Sequence, residues 1–275
     1  VSISELFSYF AYAPVARGFL ALTAAGVSFP LIGVFVLRLN LVPLRFALMH
    51  GALLGGAAAL ASGIDPLAAG IAVDLALVFV ISPLSRRSGL RESHVSTLFM
   101  VLTVGLAFAV VYKADVPAQD AFSIFWGSLY ALTRLDLALV ASFSVLIAGF
   151  VAVRFRRITA VLYSREIAFT SGVPERALTN AIMALTGVTV AFGMKLIGAL
   201  LLDSILLLPA IAATFFARSV KGLFVIASAA GLVSAAIGFF VSLAFDLPAS
   251  SAVTVVSALL LCAGILLRRL HSHER

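Results

Sequence analysis

The sequence predicts an all-α, polytopic membrane protein with about nine transmembrane helices. The first observation is composition: 63% of the 275 residues are hydrophobic and 11% are charged. A soluble domain is nearer half apolar and a quarter charged. The second is arrangement, because the apolar residues gather in runs near the roughly 20 residues that cross a bilayer as a helix. The third is where the charge sits. The net charge of +7 is spread over short segments between apolar runs, as topology determinants are, and not gathered into a nucleic-acid-binding patch.

Residues 1–14 are too short to span. Ser2 and Glu5 have capping-box spacing, and Leu6, Phe7 and Phe10 share a face, so an outer interfacial helix is expected. The start lacks a basic stretch ahead of an apolar run, so no cleavable leader is expected. Spans follow at about 15–37, 46–62, 67–84, 95–112, 135–153, 177–194, 196–217, 223–245 and 251–267. With residues 159–176 placed in the cytoplasm and the loops alternating, 15 Lys and Arg fall inside, and Arg17, Lys113, Arg134 and Lys195 make 4 outside. That bias predicts an outer N-terminus and a cytoplasmic C-terminus.

The second span is rich in small residues from Gly51 to Ala61, which lets helix backbones approach closely in lipid. Pro30 and Pro209 lie inside the first and seventh spans. Each frees a carbonyl one turn earlier, through a packing kink or beside a water-lined path. Residues 113–134 are expected to form an outer amphipathic segment, with Phe122, Phe125, Trp126, Leu129 and Leu132 at helical spacing. Its role is an interface anchor or part of a landing platform for an external partner. The single cysteine, Cys262, lies in an apolar run and excludes an internal disulfide. The end of the chain, with His271 and His273, reads as a solvated cytoplasmic tail or a metal-binding one.

Three polar residues inside spans are candidates for a translocation path: His50, Asp203 and Asp74. A carboxylate at the bilayer centre is costly, so it faces protein or water and often marks a path. Asp203 and Asp74 each fall about seven residues into a helix that enters from outside, so similar depth is expected. Together they are a candidate cation-attracting site, with His50 and Asp203 as candidate metal ligands. The alternative is packing: a hydrogen bond to a neighbouring helix, or a pair with Lys195. Residues 159–176 contain the longest polar interruption, and Glu166, Ala168 and Gly172 have the spacing E-x-A-x-x-x-G. A small residue permits close approach and Gly permits the turn that ends a short helix. The other reading is a plain cytoplasmic loop helix. No G-x-x-x-x-G-K-[ST] loop occurs, so no ATP and no cofactor is expected on this chain.

The E-x-A-x-x-x-G loop resembles the segment by which ABC-transporter permeases dock on their ATPase. From Arg17 to Arg269 the chain is similar to permease subunits of the zinc/manganese/iron ABC uptake family. The similarity lies in Gly33–Arg38, in Leu48–Gly55 around His50, and in Phe125–Leu129 with Asp136. It continues in Glu166–Val173, in Ile197–Leu201 with Leu207–Ala210, and in Asp246–Pro248. The resemblance implies an ABC importer permease fold that pairs with a second copy around a central path. It implies two copies of a cytoplasmic ABC ATPase carrying the ATP, and an extracellular or periplasmic substrate-binding protein. The cargo would be a divalent transition-metal ion (zinc, manganese or iron), and the site the cell membrane of a prokaryote. The chain departs from the family in three places. Phe46 stands where a carboxylate usually precedes the His by four residues, in a G-D-A-x-S-H-like run. Ser164 stands where Asp is common, and Arg91-Glu92-Ser93-His94 where two acids are common. Other readings are an ABC importer of a different or chelated cargo, or a secondary transporter with coupling protons on Asp203 or Asp74. No internal repeat supports the latter. An intramembrane enzyme is disfavoured by the lack of paired catalytic carboxylates, a Ser–His set or H-E-x-x-H.

Overall fold

A computed structural model describes residues 8–115, 117, 127 and 129–273. Among these, nine helices are long and apolar enough to cross a membrane. They are α1 (Ala13–Arg38), α2 (Val42–Ser62), α3 (Pro66–Ser88), α4 (Glu92–Lys113), α5 (Arg134–Tyr163), α7 (Glu175–Ile197), α8 (Ala199–Phe216), α9 (Val220–Phe245) and α10 (Ala249–His273). A short helix, α6 (Arg165–Thr170), joins α5 to α7. The expected spans are all present and most are longer than expected. In lipid a helix satisfies its own backbone, so it runs until its caps and turn residues stop it.

Polar side chains set several of those limits. Asp65 Oδ2 accepts the Ala68 amide at the start of α3, and Ser219 Oγ accepts the Gly222 amide at the start of α9. Thr133 and Asp136 cap α5 reciprocally, each side chain accepting the other's backbone N–H at 2.9 and 3.1 Å. Gly63 and Gly89 end α2 and α3 in the left-handed region. A single residue, Gly198 at φ 88°, separates α7 from α8. Gly127, also at positive φ, packs so closely on Gly198 that a β-carbon there would collide with it.

The chain divides into two compact units. The first comprises Val1–Val34, Ser128–Val153 and Leu200–Arg275. Its helices meet at glycines. A β-carbon on Gly231 would collide with the Gly26 carbonyl oxygen, and one on Gly33 with the Leu206 carbonyl oxygen. Pro30 cannot donate to the Gly26 carbonyl, and α9 covers that freed oxygen with Gly231. Ser228 Oγ donates to the neighbouring Val27 carbonyl at 2.7 Å. The carbonyl that Pro30 frees is thus packed within the protein. At one end of this unit Phe10, Phe19, Phe239 and Phe240 form a ring cluster, with Phe10 edge-on to Phe19 at 5.2 Å.

Within 113–134 only the end is described as an element: a 3-10 turn, Leu129–Ala131, with Leu129 and Leu132 buried. Tyr130 Oη lies 3.3 Å from Ser242 Oγ. These residues pack on their own unit. Phe122, Phe125 and Trp126 lie outside the described residues, as do Ser2, Glu5, Leu6 and Phe7 of the expected interfacial helix. Tyr9–Ala11 form one 3-10 turn. The side chains of His271 and His273 also lie outside the described residues.

The second unit comprises Phe35–Gly127 and Arg154–Ala199. Here α2 packs against α3, α4 and α7, and α3 against α7. The small residues of α2 make this contact: a β-carbon on Gly55 would lie 2.6 Å from the Ala69 carbonyl oxygen. Lys195 on α7 bonds Asp65 Oδ1 at 2.8 Å. This ion pair, with the second bond that Asp65 accepts from Ala68, holds the Asp65 carboxyl below its usual range.

Two stability predictions follow. Gly33→Val drives a side chain into the Leu206 carbonyl and is expected to cost about 2–3 kcal/mol, read as thermal unfolding in detergent. Asp65→Asn keeps the cap and loses the ion pair, so it costs under about 1 kcal/mol at neutral pH, because both partners are over a third exposed. A depressed folded pKa stabilises above the unfolded value and the gain is lost as pH falls through the folded one. The difference between wild type and Asp65→Asn therefore begins to shrink as pH falls past about 4 and vanishes only below the depressed folded pKa. Asp65→Ala, which also loses the cap, is expected to cost about 1 kcal/mol more.

Candidate functional site

The polar interruption at 159–176 is more helical than a loop. α5 continues through Tyr163, so Arg154, Arg156 and Arg157 lie on a helix. Ser164 breaks it in an extended conformation and its Oγ accepts the Ile167 amide at 3.3 Å. Ser164 thereby starts α6 as an N-cap, the job an Asp would do there. The helix lasts six residues and stops at Ser171, after which Gly172 turns at φ 72°. A β-carbon on Gly172 would meet nothing within 4 Å, so its need for glycine is conformational, not spatial.

The three loop candidates take different positions. Glu166 is exposed in the first turn of α6, and Gly172 is exposed just past its end. Ala168 is 0% exposed. Its small side chain seats α6 on the chain and presents no small-residue face outward. The outward face carries Phe169, 70% exposed, and Ile167, 49% exposed. Beside them Phe169, Gly172, Pro174, Glu175 and Arg176 line a cleft of about 390 Å³. Sequence reading passed over Phe169 and Ile167. Their signal was two large apolar residues in a polar segment too short to span.

The intramembrane candidates separate. His50 and Asp74 belong to the second unit, and Asp203 to the first. Asp203 is the fifth residue of α8 and half-buried, about 6 Å along the helix from its start. Asp74 is the ninth residue of α3, about 12 Å along.

His50 is half-buried on α2, and its Nδ1 lies 2.7 Å from the Phe46 carbonyl oxygen. A carbonyl only accepts, so Nδ1 carries the hydrogen. In the neutral ring this leaves the lone pair on Nε2, the tautomer in which a histidine ligates metal while a backbone carbonyl orients it. Phe46 supplies no carboxylate. Its ring instead lies under the Arg45 guanidinium, 4.2 Å from the ring centre, and Arg45 is almost wholly buried.

Asp74 is 0% exposed, and neither carboxyl oxygen has a hydrogen-bond partner. Lys195, one partner the packing reading proposed, is held by Asp65. The other, a bond to a neighbouring helix, is absent too. Gly51 makes room for the side chain, and Gly187 lies beside it. A β-carbon on Gly51 of α2 would lie 2.6 Å from Asp74 Oδ1, and one on Gly187 of α7 would lie 3.4 Å from the Asp74 β-carbon. A charged group so placed costs roughly 2.5–3.5 kcal/mol on insertion scales, with no hydrogen bond to offset it. Among the described residues no group of three His, Cys, Asp or Glu gathers as a ready-made metal site.

The chain matches the model of the ABC 3 transport family over residues 11–268. It is 26% identical over 233 residues to the high-affinity zinc uptake system membrane protein ZnuB of Buchnera aphidicola subsp. Acyrthosiphon pisum, covering 83% of this chain and 88% of the relative. It is 23% identical over 237 residues to the manganese import system permease protein ScaB of Streptococcus gordonii, covering 86% and 84%. In structure it is similar to a chain of PsaBC from Streptococcus pneumoniae in complex with Fab. The TM-score is 0.83 at 18% sequence identity, over 96% of this chain and 95% of that one.

The loop geometry gives a local prediction. Gly172→Ala is expected to cost about 1 kcal/mol through left-handed strain, and Gly172→Asn less, in thermal unfolding.

Proposed function

The chain belongs to the ABC 3 transport family, and from that premise we propose that it is the membrane permease of an ATP-driven importer of divalent transition-metal ions. The observation that carries the reading is α6. It is a short capped helix with an exposed apolar face, ended by a left-handed glycine, between two membrane helices. Such a knob outside the membrane suits a push from a soluble partner. The relatives named for zinc and manganese uptake support the metal cargo.

On this reading α6 docks in a cleft of a cytoplasmic ATPase, two copies serving a pair of permeases. Glu166 and Gly172 frame the contact and Phe169 fills it. Ala168 fixes the angle of α6 against its own chain. ATPase closure moves the helices joined to α6 and alternates access. A substrate-binding protein on the other side of the cell membrane delivers the ion, which His50 of the second unit and Asp203 of the first are each candidates to meet. The excess of Lys and Arg on the α6 side supports an outer N-terminus and a cytoplasmic C-terminus.

The test is ATP-dependent uptake of zinc, manganese and iron by proteoliposomes containing the permease, its ATPase and its binding protein. Uptake of one metal that needs both partners is expected. ATP turnover stimulated by the binding protein without uptake of any of the three would overturn the metal cargo and keep the importer. Gly172→Val is expected to cut uptake at least about tenfold while the permease still inserts and folds. Full uptake by that variant would remove the loop from the coupling path.

A further inference from the structure

Among the described helices α5 is the longest, and it outruns the membrane. Its 30 residues rise about 45 Å at 1.5 Å each, against a hydrocarbon core about 30 Å thick. Counted from Arg134, the roughly 20 residues that cross such a core end near Arg154. Arg154, Arg156 and Arg157 therefore fall where acyl chains give way to headgroups. The exposed face of α5 leads to them. Leu135, Leu146 and Val153 are 68%, 53% and 82% exposed. With Arg157 they are spaced 11, 7 and 4 positions apart, which places all four on one stripe of a 3.6-residue helix. Val140, Ile147 and Ile158 are buried on another face. The open stripe is apolar as far as Val153 and cationic beyond it, with Arg154 and Arg156 on either side of Arg157.

Other arginines near helix ends find acceptors inside the protein. Arg86 Nη1 donates to Ser82 Oγ, and Arg268 Nη1 donates to the Phe215 carbonyl. Arg154, Arg156 and Arg157 are all exposed, and among the described residues none of them has a hydrogen bond or an ion pair. A guanidinium matches phosphate oxygens in pairs, and its stem can lie along apolar chains while the head stays in the polar layer. We propose that Arg154, Arg156 and Arg157 form a binding surface for anionic phospholipid headgroups at the end of α5. Lipid is the occupant because the arginines continue a face open to acyl chains and lie at headgroup depth. Each Lys or Arg near an anionic surface strengthens such attraction roughly fivefold. The headgroups then hold the stretch from Arg154 to Tyr163 at the membrane surface, and α6 starts two residues after it. The inference needs only that α5 spans the membrane and is independent of the cargo.

The experiment places the assembled importer in nanodiscs of equal phosphatidylglycerol and phosphatidylcholine, and native mass spectrometry counts the lipids retained on release. Wild type should retain phosphatidylglycerol in preference. Replacing Arg154, Arg156 and Arg157 together by Gln should reduce that preference at least about tenfold. Replacing all three by Lys keeps the charge and should keep the preference within about threefold. All three side chains are exposed, so wild-type thermal unfolding is expected for both variants, and Arg157→Gln alone carries the test if the triple variant fails to fold. Equal retention of the two lipids by wild type, or an unchanged preference in the Gln variants, would overturn the assignment. Loss of the ATPase or of a second permease copy from the triple Gln variant, with lipid preference unchanged, would give the arginines to a protein contact and overturn it equally.

Discussion

Everything in this structure depends on the absence of water from the hydrocarbon layer. A polar backbone group there must find its partner inside the protein, so the chain is helical wherever it crosses. Lipid tails are as apolar as leucine, so burial of leucine gives little attraction between helices. Close backbone contact gives it instead, and glycine is what allows it. Gly26 meets Gly231, Gly33 meets the Leu206 carbonyl, and Gly55 meets Ala69 and Gly70. Pro30 shows the same constraint from the other side. The carbonyl it frees is not left to lipid but is covered by Gly231, and Ser228 bonds the next one. In the same unit the Ser28 and Ser144 hydroxyls lie 2.9 Å apart and share the Ala24 carbonyl, tying α1 to α5.

Two features depart from that rule. Asp74 has polar atoms in the membrane and no partner for them. α6 has large apolar side chains outside the membrane and no cover for them. Both lie in the unit formed by residues 35–127 and 154–199. There α7 begins just after Gly172 and packs along α3. One helix therefore runs from just after α6 to the side of Asp74 at Gly187.

The spans were legible because an apolar run of span length has few other fates. Their ends were less so. Arg154, Arg156 and Arg157 lie beyond the expected span of 135–153, yet the helix runs on through them to Tyr163, since charged residues with helical propensity continue a helix once it leaves the lipid. The break between α7 and α8 is one glycine wide and set by Gly127, far off in sequence. The α6 motif could be read, but not that Ala168 points inward, because a six-residue helix has too few positions to define a buried face. The partners of the charged groups were the least legible. Lys195 pairs with Asp65, 130 positions away, and this was what removed it as a partner for Asp74. The tautomer of His50 needed a coordinate, though Phe46 four residues earlier was in view throughout.

The central claim is that work enters this protein through α6. The most direct test places a cysteine at Phe169, with Cys262→Ser to silence the native thiol, and crosslinks it to cysteines along the groove of the ATPase partner. The account predicts a crosslink in the assembled complex whose yield changes when ATP analogue binds. A complex that assembles and turns over ATP, yet gives no crosslink from residue 169 in any nucleotide state, would contradict it.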